Sequence, residues 1–365
     1  MTAALLGEHT NRKEIWTGPV IDCDVHAHVP SLEALFPYME EQWVEFCIER
    51  KIAEPQALAG VYPPAAASSS RPEWRDTEGR PGGTSLEQLQ QQILDPWDVE
   101  FAIVNCYYAV DWVRHPDFGP AFARAVNDWL IGEWLEKDSR LRASLVVPAY
   151  DPREMIKEIE RIGDHPGFVQ VFMPVRSEKL YGHRTWHPVW EAMAAKKLVF
   201  GLHWGGVAEF SAPSPTGWAS WFAEEYAQEQ QLFQAQLMSM IAEGVFSAVP
   251  DLHVAVLEVG FTWAPPLWWR METKRKGLRR DIPWVNEPIW DVFRRNVRFS
   301  VAPIDAGPPE QLAKTIDWLG SDELLMFATD YPHQHDDDLS TLLGLLPDEA
   351  QRKLMAENAR ELYGL

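Results

Sequence analysis

Hydrophobic and polar positions follow two patterns that alternate along the whole chain. Short apolar runs rich in β-branched residues are typical of buried strands, and the longer amphipathic stretches between them are typical of helices. The predicted strands are 20–26, 101–106, 141–147, 168–172, 198–203, 253–258, 297–301 and 324–329. The predicted helices include 121–136, 153–162, 218–242 and 309–319. Repeated strand and helix units of this kind indicate a parallel sheet covered by helices.

Eight such units predict an α/β fold of the (β/α)8 TIM barrel type. Barrel domains typically take about 250 residues, so we expect a single barrel domain over residues 1–365 with loop insertions at about 53–83 and 261–290. The first insertion is rich in Pro, Ser and Gly, which is typical of a lid or a loop. Barrel enzymes keep their active sites at the carboxyl ends of the strands, so residues that end the predicted strands are the candidates for chemistry.

Charge and composition exclude several classes of function. The chain has 33 basic and 54 acidic residues, a net charge of −21, so we expect neither nucleic acid nor an anionic membrane as a partner. No apolar run suits a signal peptide or a membrane span, which predicts a cytoplasmic protein. Three cysteines are too few for a sulfur-based zinc site, so a metal would be held by His and carboxylate groups. We expect a small-molecule substrate and leave a homodimer open.

The first predicted strand carries a run of four polar residues that could bind a metal. In IDCDVHAH, the residues Asp22, Asp24, His26 and His28 alternate with apolar ones, so all four side chains point to one side of an extended strand. Imidazole and carboxylate groups at this spacing suit a divalent metal ion, whereas a single buried His is usually structural. His26 and His28, two positions apart on one strand, form half of such a site.

Two further candidate ligands end later strands. His203 ends the apolar run LVFGLH and is expected at the rim of the barrel as a third ligand, the alternative being a bond to a neighbouring loop. Asp330 ends LLMFAT in the same way and is a candidate ligand and catalytic residue, although an Asp here can also cap a turn. His333 and His335 follow closely and are expected to reach the site, with His333 as a candidate catalytic residue.

Glu258 ends the sixth predicted strand, HVAVLE, and is the candidate acid or base. A carboxyl group at the barrel rim in apolar surroundings can exchange protons near neutral pH. The alternative is an ion pair with Arg270 or Arg294.

Tryptophan is frequent, with 18 residues in the chain, and several follow the fifth and sixth strands. We expect Trp204, Trp218 and Trp263 to bind the substrate, because aromatic faces favour flat apolar ligands. This predicts a small, planar and aromatic substrate. The alternative is that these side chains pack helices or a subunit interface.

The motifs IDCDVHAH, GLHWGG, HVAVLEVGFTW and FATDYPHQHDDD together resemble the metal-dependent amidohydrolase superfamily. The similarity extends over nearly the whole chain and is greatest to the amidohydrolase-related group that includes aminocarboxymuconate-semialdehyde decarboxylase. It implies that His26, His28, His203 and Asp330 are metal ligands, with Asp24 as an alternative where relatives begin with carboxylate-x-His. The decarboxylases of this group usually carry a His followed by glycines where this chain has Glu258.

The resemblance implies one divalent metal ion, with zinc as the first choice and manganese as the alternative, and leaves two reactions. In the first, the ion activates a water molecule for hydrolysis of an amide, an ester, a lactone or a carbon–carbon bond. In the second, an aromatic or enolic carboxylic acid loses CO2 without oxidation. An anionic Glu258 would repel a departing carboxylate by roughly 4 kcal/mol at about 4 Å in an effective dielectric near 20, which favours hydrolysis. A metal-free binding protein is the third hypothesis.

Overall fold

The computed structural model describes residues 15–52, 70–108, 110–206, 217–333, 335 and 338–365. All eight predicted strands are present, and they pair in parallel in the order β1 to β8. Their bounds are β1 Ile21–His26, β2 Phe101–Asn105, β3 Leu141–Val146, β4 Phe168–Pro174, β5 Val199–His203, β6 Val254–Leu257, β7 Val297–Ser300 and β8 Leu325–Met326. Each strand lies beside the next one along the chain, as a βα repeat requires.

Backbone hydrogen bonds also join the two ends of this sheet. The amide of Cys23 in β1 donates to the carbonyl of Phe327 at 3.0 Å, and the amide of His26 donates to the carbonyl of Tyr331 at 2.7 Å. The segment that follows β8 therefore lies against β1 and nearly closes the barrel. The predicted (β/α)8 architecture is confirmed.

Helices connect the strands on the outside of the barrel. They are α1 Glu41–Arg50, α2 Phe118–Leu130, α3 Pro152–Ile162, α4 His187–Ala195, α5 Phe222–Gln228, α6 Gln230–Ala242, α7 Ala264–Leu278, α8 Ile289–Asn296, α9 Pro309–Leu319, α10 Leu339–Gly344 and α11 Asn358–Tyr363. Shorter α segments are Leu86–Leu89, Asp95–Trp97, Val245–Ala248 and Asp348–Arg352. None of the described helices combines the length and apolar composition that a membrane span requires.

The predicted helix 218–242 begins later than expected and is divided in two. It starts at Phe222, and a turn at Glu229 separates α5 from α6. At this turn the amide of Leu232 bonds to the carbonyl of Glu229, three residues earlier, at 2.9 Å. The tighter hydrogen bonding turns the chain at Glu229, which lies beside the carboxyl ends of the strands.

The two segments predicted as insertions contain ordered structure in their described parts. Residues 53–69 of the first lie outside the described residues, and the remainder runs beside the loop after β8, where the Arg71 amide donates to the Pro332 carbonyl at 3.1 Å. The second contains α7, and its Trp268 packs on Trp290 and Phe293 at ring distances of 4.9 and 5.3 Å. Both segments add layers around the barrel without interrupting the order of its strands.

Candidate metal centre

Four buried side chains from three parts of the barrel converge at its carboxyl end. Asp24 and His26 come from β1, His203 ends β5, and Asp330 follows β8. One donor atom from each lies within 4.8 Å of the others. His26 Nε2 is 2.9 Å from Asp330 Oδ1 and 3.5 Å from Asp24 Oδ1, and His203 Nε2 is 3.2 Å from Asp24 Oδ2.

The details of these side chains fit a divalent metal ion. His203 Nδ1 lies 2.8 Å from the Trp204 carbonyl oxygen, and donation to it leaves Nε2, which faces the cluster, as the atom that would bind an ion. Asp24 Oδ2 is buried and accepts no hydrogen bond from the residues that the structure describes. Two imidazoles and two carboxylates are a donor set that suits zinc or manganese.

The first strand contributes Asp24 and His26 to the cluster, not His28. β1 ends at His26, and the chain then turns so that the His28 amide donates to the Gly83 carbonyl at 2.8 Å. His28 lies in neither group of possible ligands found among the described residues, because the alternation of a strand stops where the strand stops. A side chain at Gly83, which has a φ of 79°, would come within 2.1 Å of the His26 carbonyl oxygen.

Asp22 does not belong to the cluster either, although it lies on β1. Its carboxylate accepts hydrogen bonds from the Thr329 amide at 3.0 Å and the Thr329 hydroxyl at 2.6 Å. Burial raises the pKa of Asp22 to about 7, against the lowering effect of these hydrogen bonds. The residue therefore joins β1 to the segment after β8 and holds the walls of the site together.

A second group of side chains overlaps the first and contains Glu258. It consists of His26, Glu258, Asp330 and His333. Glu258 Oε1 is 3.5 Å from His333 Nδ1, and Glu258 Oε2 is 3.5 Å from His203 Nδ1. Glu258 thus faces two imidazoles of the site, whereas Arg294, one of its two suggested ion-pair partners, pairs with Glu323 at 3.0 Å.

Asp330 is the side chain around which the histidines gather. His333 Nδ1 is 3.1 Å from Asp330 Oδ2, and His335 Nε2 contacts the same oxygen. With His26 on the other oxygen, three imidazoles surround this carboxylate. The described hydrogen-bond partners of its carboxylate are these imidazoles and not the backbone amides of a turn.

Burial and neighbouring charges shift the pKa values of His203, Asp330 and His333 in opposite directions. Burial alone would lower the pKa of His203, but the adjacent Asp24 carboxylate outweighs it and raises the pKa to about 9. Burial would raise the pKa of Asp330, yet the charge of His333 and the hydrogen bonds of three histidines hold it well below its usual range. Burial also opposes protonation of His333, and Asp330 raises its pKa despite this. The metal-free centre is therefore an array of paired charges.

The backbone is strained where the strands end at the site. Glu258 has a φ of 56° and Asp330 a φ of 52°, in the left-handed region that side chains with a Cβ disfavour. Such conformations cost on the order of 1–3 kcal/mol each and concentrate at functional sites. The Asp330 carboxylate belongs to both groups of possible ligands, and the Glu258 carboxylate belongs to the second.

A line of polar side chains inside the barrel was missed in the sequence. The Asn105 amide donates to Asp24 Oδ1 at 2.7 Å, and Ser144 donates to Asn105 Oδ1. Gln170 donates to the Ser144 hydroxyl at 2.7 Å and accepts from the Tyr363 hydroxyl at 2.8 Å. The available signal was an uncharged polar residue within each of the apolar strands FAIVN, LRASLV and FVQVFMP, namely Asn105, Ser144 and Gln170.

A cavity of about 1000 Å³ opens beside Glu258. Its wall includes Tyr226, Glu229, Glu258, Ile304, Asp305 and His335. This is a volume that accommodates a small organic substrate.

The three tryptophans expected at the substrate do not line this cavity. Trp263 turns back into the core, where it packs on Phe299 at 5.6 Å. Trp218 is 60% exposed, and Trp204 lies behind Tyr226, with their rings 6.2 Å apart. The aromatic wall of the cavity is Tyr226, because a loop's direction, and not its place in the sequence, decides which side chain reaches the site.

Comparison with known proteins agrees with this architecture. A sequence model of the amidohydrolase family matches residues 23–365. The chain belongs to the amidohydrolase family. This membership confirms the resemblance seen in the motifs, and the protein is an enzyme of that superfamily.

Solved structures of amidohydrolase-like proteins share the fold at low sequence identity. An amidohydrolase from Mycobacterium avium subsp. paratuberculosis is 18% identical, with a TM-score of 0.68, over 96% of this chain and 99% of that one. A 2,6-dihydroxybenzoate decarboxylase bound to 2,6-dihydroxybenzoate is 18% identical, with a TM-score of 0.69, over 95% and 99%. A 5-carboxyvanillate decarboxylase from Novosphingobium aromaticivorans, complexed with manganese, is 16% identical, with a TM-score of 0.68, over 96% and 99%.

Proposed function

We propose that this protein is a metal-dependent hydrolase that acts on a small molecule through an activated water. The observation that carries the proposal is the position of Glu258, a buried carboxylate 3.5 Å from His333 and from His203 at the edge of the candidate metal centre. A proton acceptor at this place suits the activation of water.

We assign Asp24, His26, His203 and Asp330 as the residues that hold the ion. When bound, a divalent ion would polarise a carbonyl group and lower the pKa of a water molecule. Zinc is the first choice for two imidazoles and two carboxylates, and manganese, which the 5-carboxyvanillate decarboxylase binds, suits the same donors. One donor atom from each of these four side chains lies within 4.8 Å of the others.

The remaining groups move and hold the proton in this proposal. Glu258 accepts a proton from water at Oε1, and this proton reaches the leaving group through His333, whose Nδ1 is 3.5 Å away, so that the Glu258 carboxylate is restored. Asp330 keeps His333 oriented through the 3.1 Å contact with Nδ1. General acid and base groups placed in this way typically contribute about 10²–10⁴-fold to the rate.

Non-oxidative decarboxylation is the second candidate, because structures with this fold include decarboxylases of 2,6-dihydroxybenzoate and 5-carboxyvanillate. The cavity wall argues against it. Glu229, Glu258 and Asp305 all line the cavity, and none of its described lining residues is Lys or Arg. An aromatic carboxylate would enter a space lined by acidic groups, without a Lys or Arg in the described wall to balance its charge.

Elemental analysis of protein from metal-replete medium tests the metal site first. We expect about one zinc or manganese ion per chain, and the His203→Ala variant should lose both the ion and turnover. The exposed His183, which caps a helical turn outside the site, provides the control variant His183→Ala. Full turnover with less than about a tenth of an ion per chain would refute metal dependence.

A matched substrate panel then decides between the two reactions. It consists of aryl amides and aryl esters on one side and hydroxybenzoic acids on the other, assayed with the same metal-loaded protein. Release of amine or alcohol supports hydrolysis, and release of CO2 from the acids would replace it with decarboxylation.

The wider setting of the enzyme also remains a proposal. We expect a single-domain protein in the cytoplasm without nucleic-acid partners, which the net charge of −21 supports. Light scattering on the purified protein distinguishes a monomer from a homodimer.

A further inference from the structure

Glu229 is a buried carboxyl group in the cavity wall that the proposed hydrolysis does not use. It occupies the turn between α5 and α6, and the residue is only 6% exposed. Its Oε2 accepts no hydrogen bond from any residue in the described part of the chain. A buried polar atom without a partner is costly in a folded protein, so its retention beside a cavity points to a ligand.

The charges around Glu229 make an empty cavity unfavourable for its ionised form. Burial raises the pKa of Glu229 well above its usual range, and the neighbouring carboxylates of Glu258 and Asp305 add to this effect. Arg176 is the nearby cation that acts in the opposite direction. Its guanidinium group is bound to Glu225 and stacks on Trp204 at 5.2 Å, so most of its charge is already balanced.

The other carboxylates of the cavity have different surroundings. Asp338 is occupied as the cap of α10, where it accepts hydrogen bonds from the amide and hydroxyl of Thr341 at 3.1 and 2.6 Å. Asp305 is exposed in the loop that follows β7, with a φ of 48°. Glu229 deep in the wall and Asp305 nearer to solvent therefore remain as acceptors for a ligand.

A protonated amine meets the requirements of this wall. It supplies N–H donors for the open oxygen of Glu229, and its positive charge offsets the repulsion among Glu229, Glu258 and Asp305. The ring of Tyr226 in the same wall adds an aromatic face that attracts a cation. A carboxylate or phosphate group would find like charges in the same positions.

We propose that Glu229, assisted by Asp305, binds a protonated amine of the substrate, so that the enzyme acts on amine-bearing amides or esters. This inference rests on the proposed function for the identity of the reaction, but amine binding is measurable without turnover.

Calorimetric titration of the metal-loaded protein with two ligands of similar size tests the inference directly. The ligands are phenethylammonium, which is a cation at neutral pH, and 2-phenylethanol, which is neutral. We expect the cation to bind at least about tenfold more tightly, as one charged hydrogen bond predicts. Equal affinities would overturn the proposal.

Variants show whether the preference belongs to this cavity. Glu229→Gln should reduce the preference for phenethylammonium about tenfold, and Asp305→Asn, at an exposed position where Asn tolerates a positive φ, should reduce it less. The control Glu243→Gln removes the same charge just beyond the end of α6, outside the cavity. An unchanged preference in both Glu229→Gln and Asp305→Asn, or an equal loss in Glu243→Gln, would also overturn it.

The two proposals fail in different ways. Tight binding of phenethylammonium without hydrolysis of any amide or ester would remove the hydrolase assignment and keep the amine site. Hydrolysis of neutral aryl amides as fast as of their amine-bearing analogues would keep the hydrolase and remove the amine site.

Discussion

The side-chain amide of Asn105 donates a 2.7 Å hydrogen bond to Oδ1 of Asp24. This bond holds Oδ1 and leaves Oδ2, 3.2 Å from His203 Nε2, without a hydrogen bond from the described residues. Asn105 is itself held by Ser144 and Gln170 on the next two strands. The carboxylate is thus positioned by the barrel interior and not by β1 alone.

Replacement of Asn105 by Leu should weaken metal binding. Loss of a partner that orients a ligand typically costs about 10–100-fold in metal affinity. Competition with a chromogenic chelator measures this affinity. The control is Asn127→Leu, since Asn127 is also buried but bonds to Val146 and Glu158, so that it should lower stability and leave metal affinity unchanged. Equal affinities in the wild type and Asn105→Leu would show that Asp24 needs no support.

The Glu258→Gln variant should lose turnover and keep its metal. Gln preserves volume and hydrogen bonding but does not titrate, so we expect a decrease of about 10²–10⁴-fold in kcat. Steady-state kinetics and elemental analysis of the same preparation check the two parts. Near-normal turnover would contradict the role of Glu258 and indicate that His333 transfers the proton. Loss of the ion would indicate that Glu258 is a metal ligand.

Substitutions of Trp263 and of Tyr226 should have different effects: the first should lower stability, and the second should weaken substrate binding. Trp263 packs on Phe299, and its indole N–H donates to the Val259 carbonyl at 3.0 Å, so Trp263→Phe should lower the free energy of unfolding by about 1–2 kcal/mol with KM unchanged. Tyr226→Leu should raise KM several-fold, because Tyr226 lines the cavity. Urea unfolding and steady-state kinetics on both variants provide the measurements. The reverse pattern would return Trp263 to the substrate site.

Stability should depend on pH through Asp138. The hydrogen bonds from Arg140, partly offset by burial, lower the pKa of Asp138 from 3.8 to about 2. A carboxyl group whose pKa is lowered by folding stabilises the protein above the unfolded value and loses that contribution as pH falls toward the folded value. The contribution is about 2 kcal/mol near neutral pH.

Urea unfolding of the wild type and Asp138→Asn measures this contribution. The difference between them should be largest above about pH 5 and should shrink as the pH is lowered below 4. The control Glu178→Gln removes a half-exposed partner of Arg114 and should change stability by less than about 1 kcal/mol. A difference that stays constant between pH 6 and 3 would contradict the assignment.

The order of strands and the chemistry at their ends could be predicted from the sequence. Apolar runs of strand length identified all eight strands because a parallel barrel buries both faces of its strands. His203, Glu258 and Asp330 were found because side chains that end such strands meet at one rim. These features depend on the local alternation of apolar and polar residues, and this alternation can be read from the sequence without knowledge of tertiary contacts.

The choice among the candidates was decided by tertiary structure. Whether Asp24 or His28 joins His26 depends on where β1 ends, and that end is set by the bonds of the following segment to Gly83 and Asn105. The support of Asp24 by Asn105 and the exclusion of Trp263 from the cavity depend on contacts between residues far apart in the chain. Periodicity shows which face of an element is buried, but only the packing of one element against another determines what that face touches.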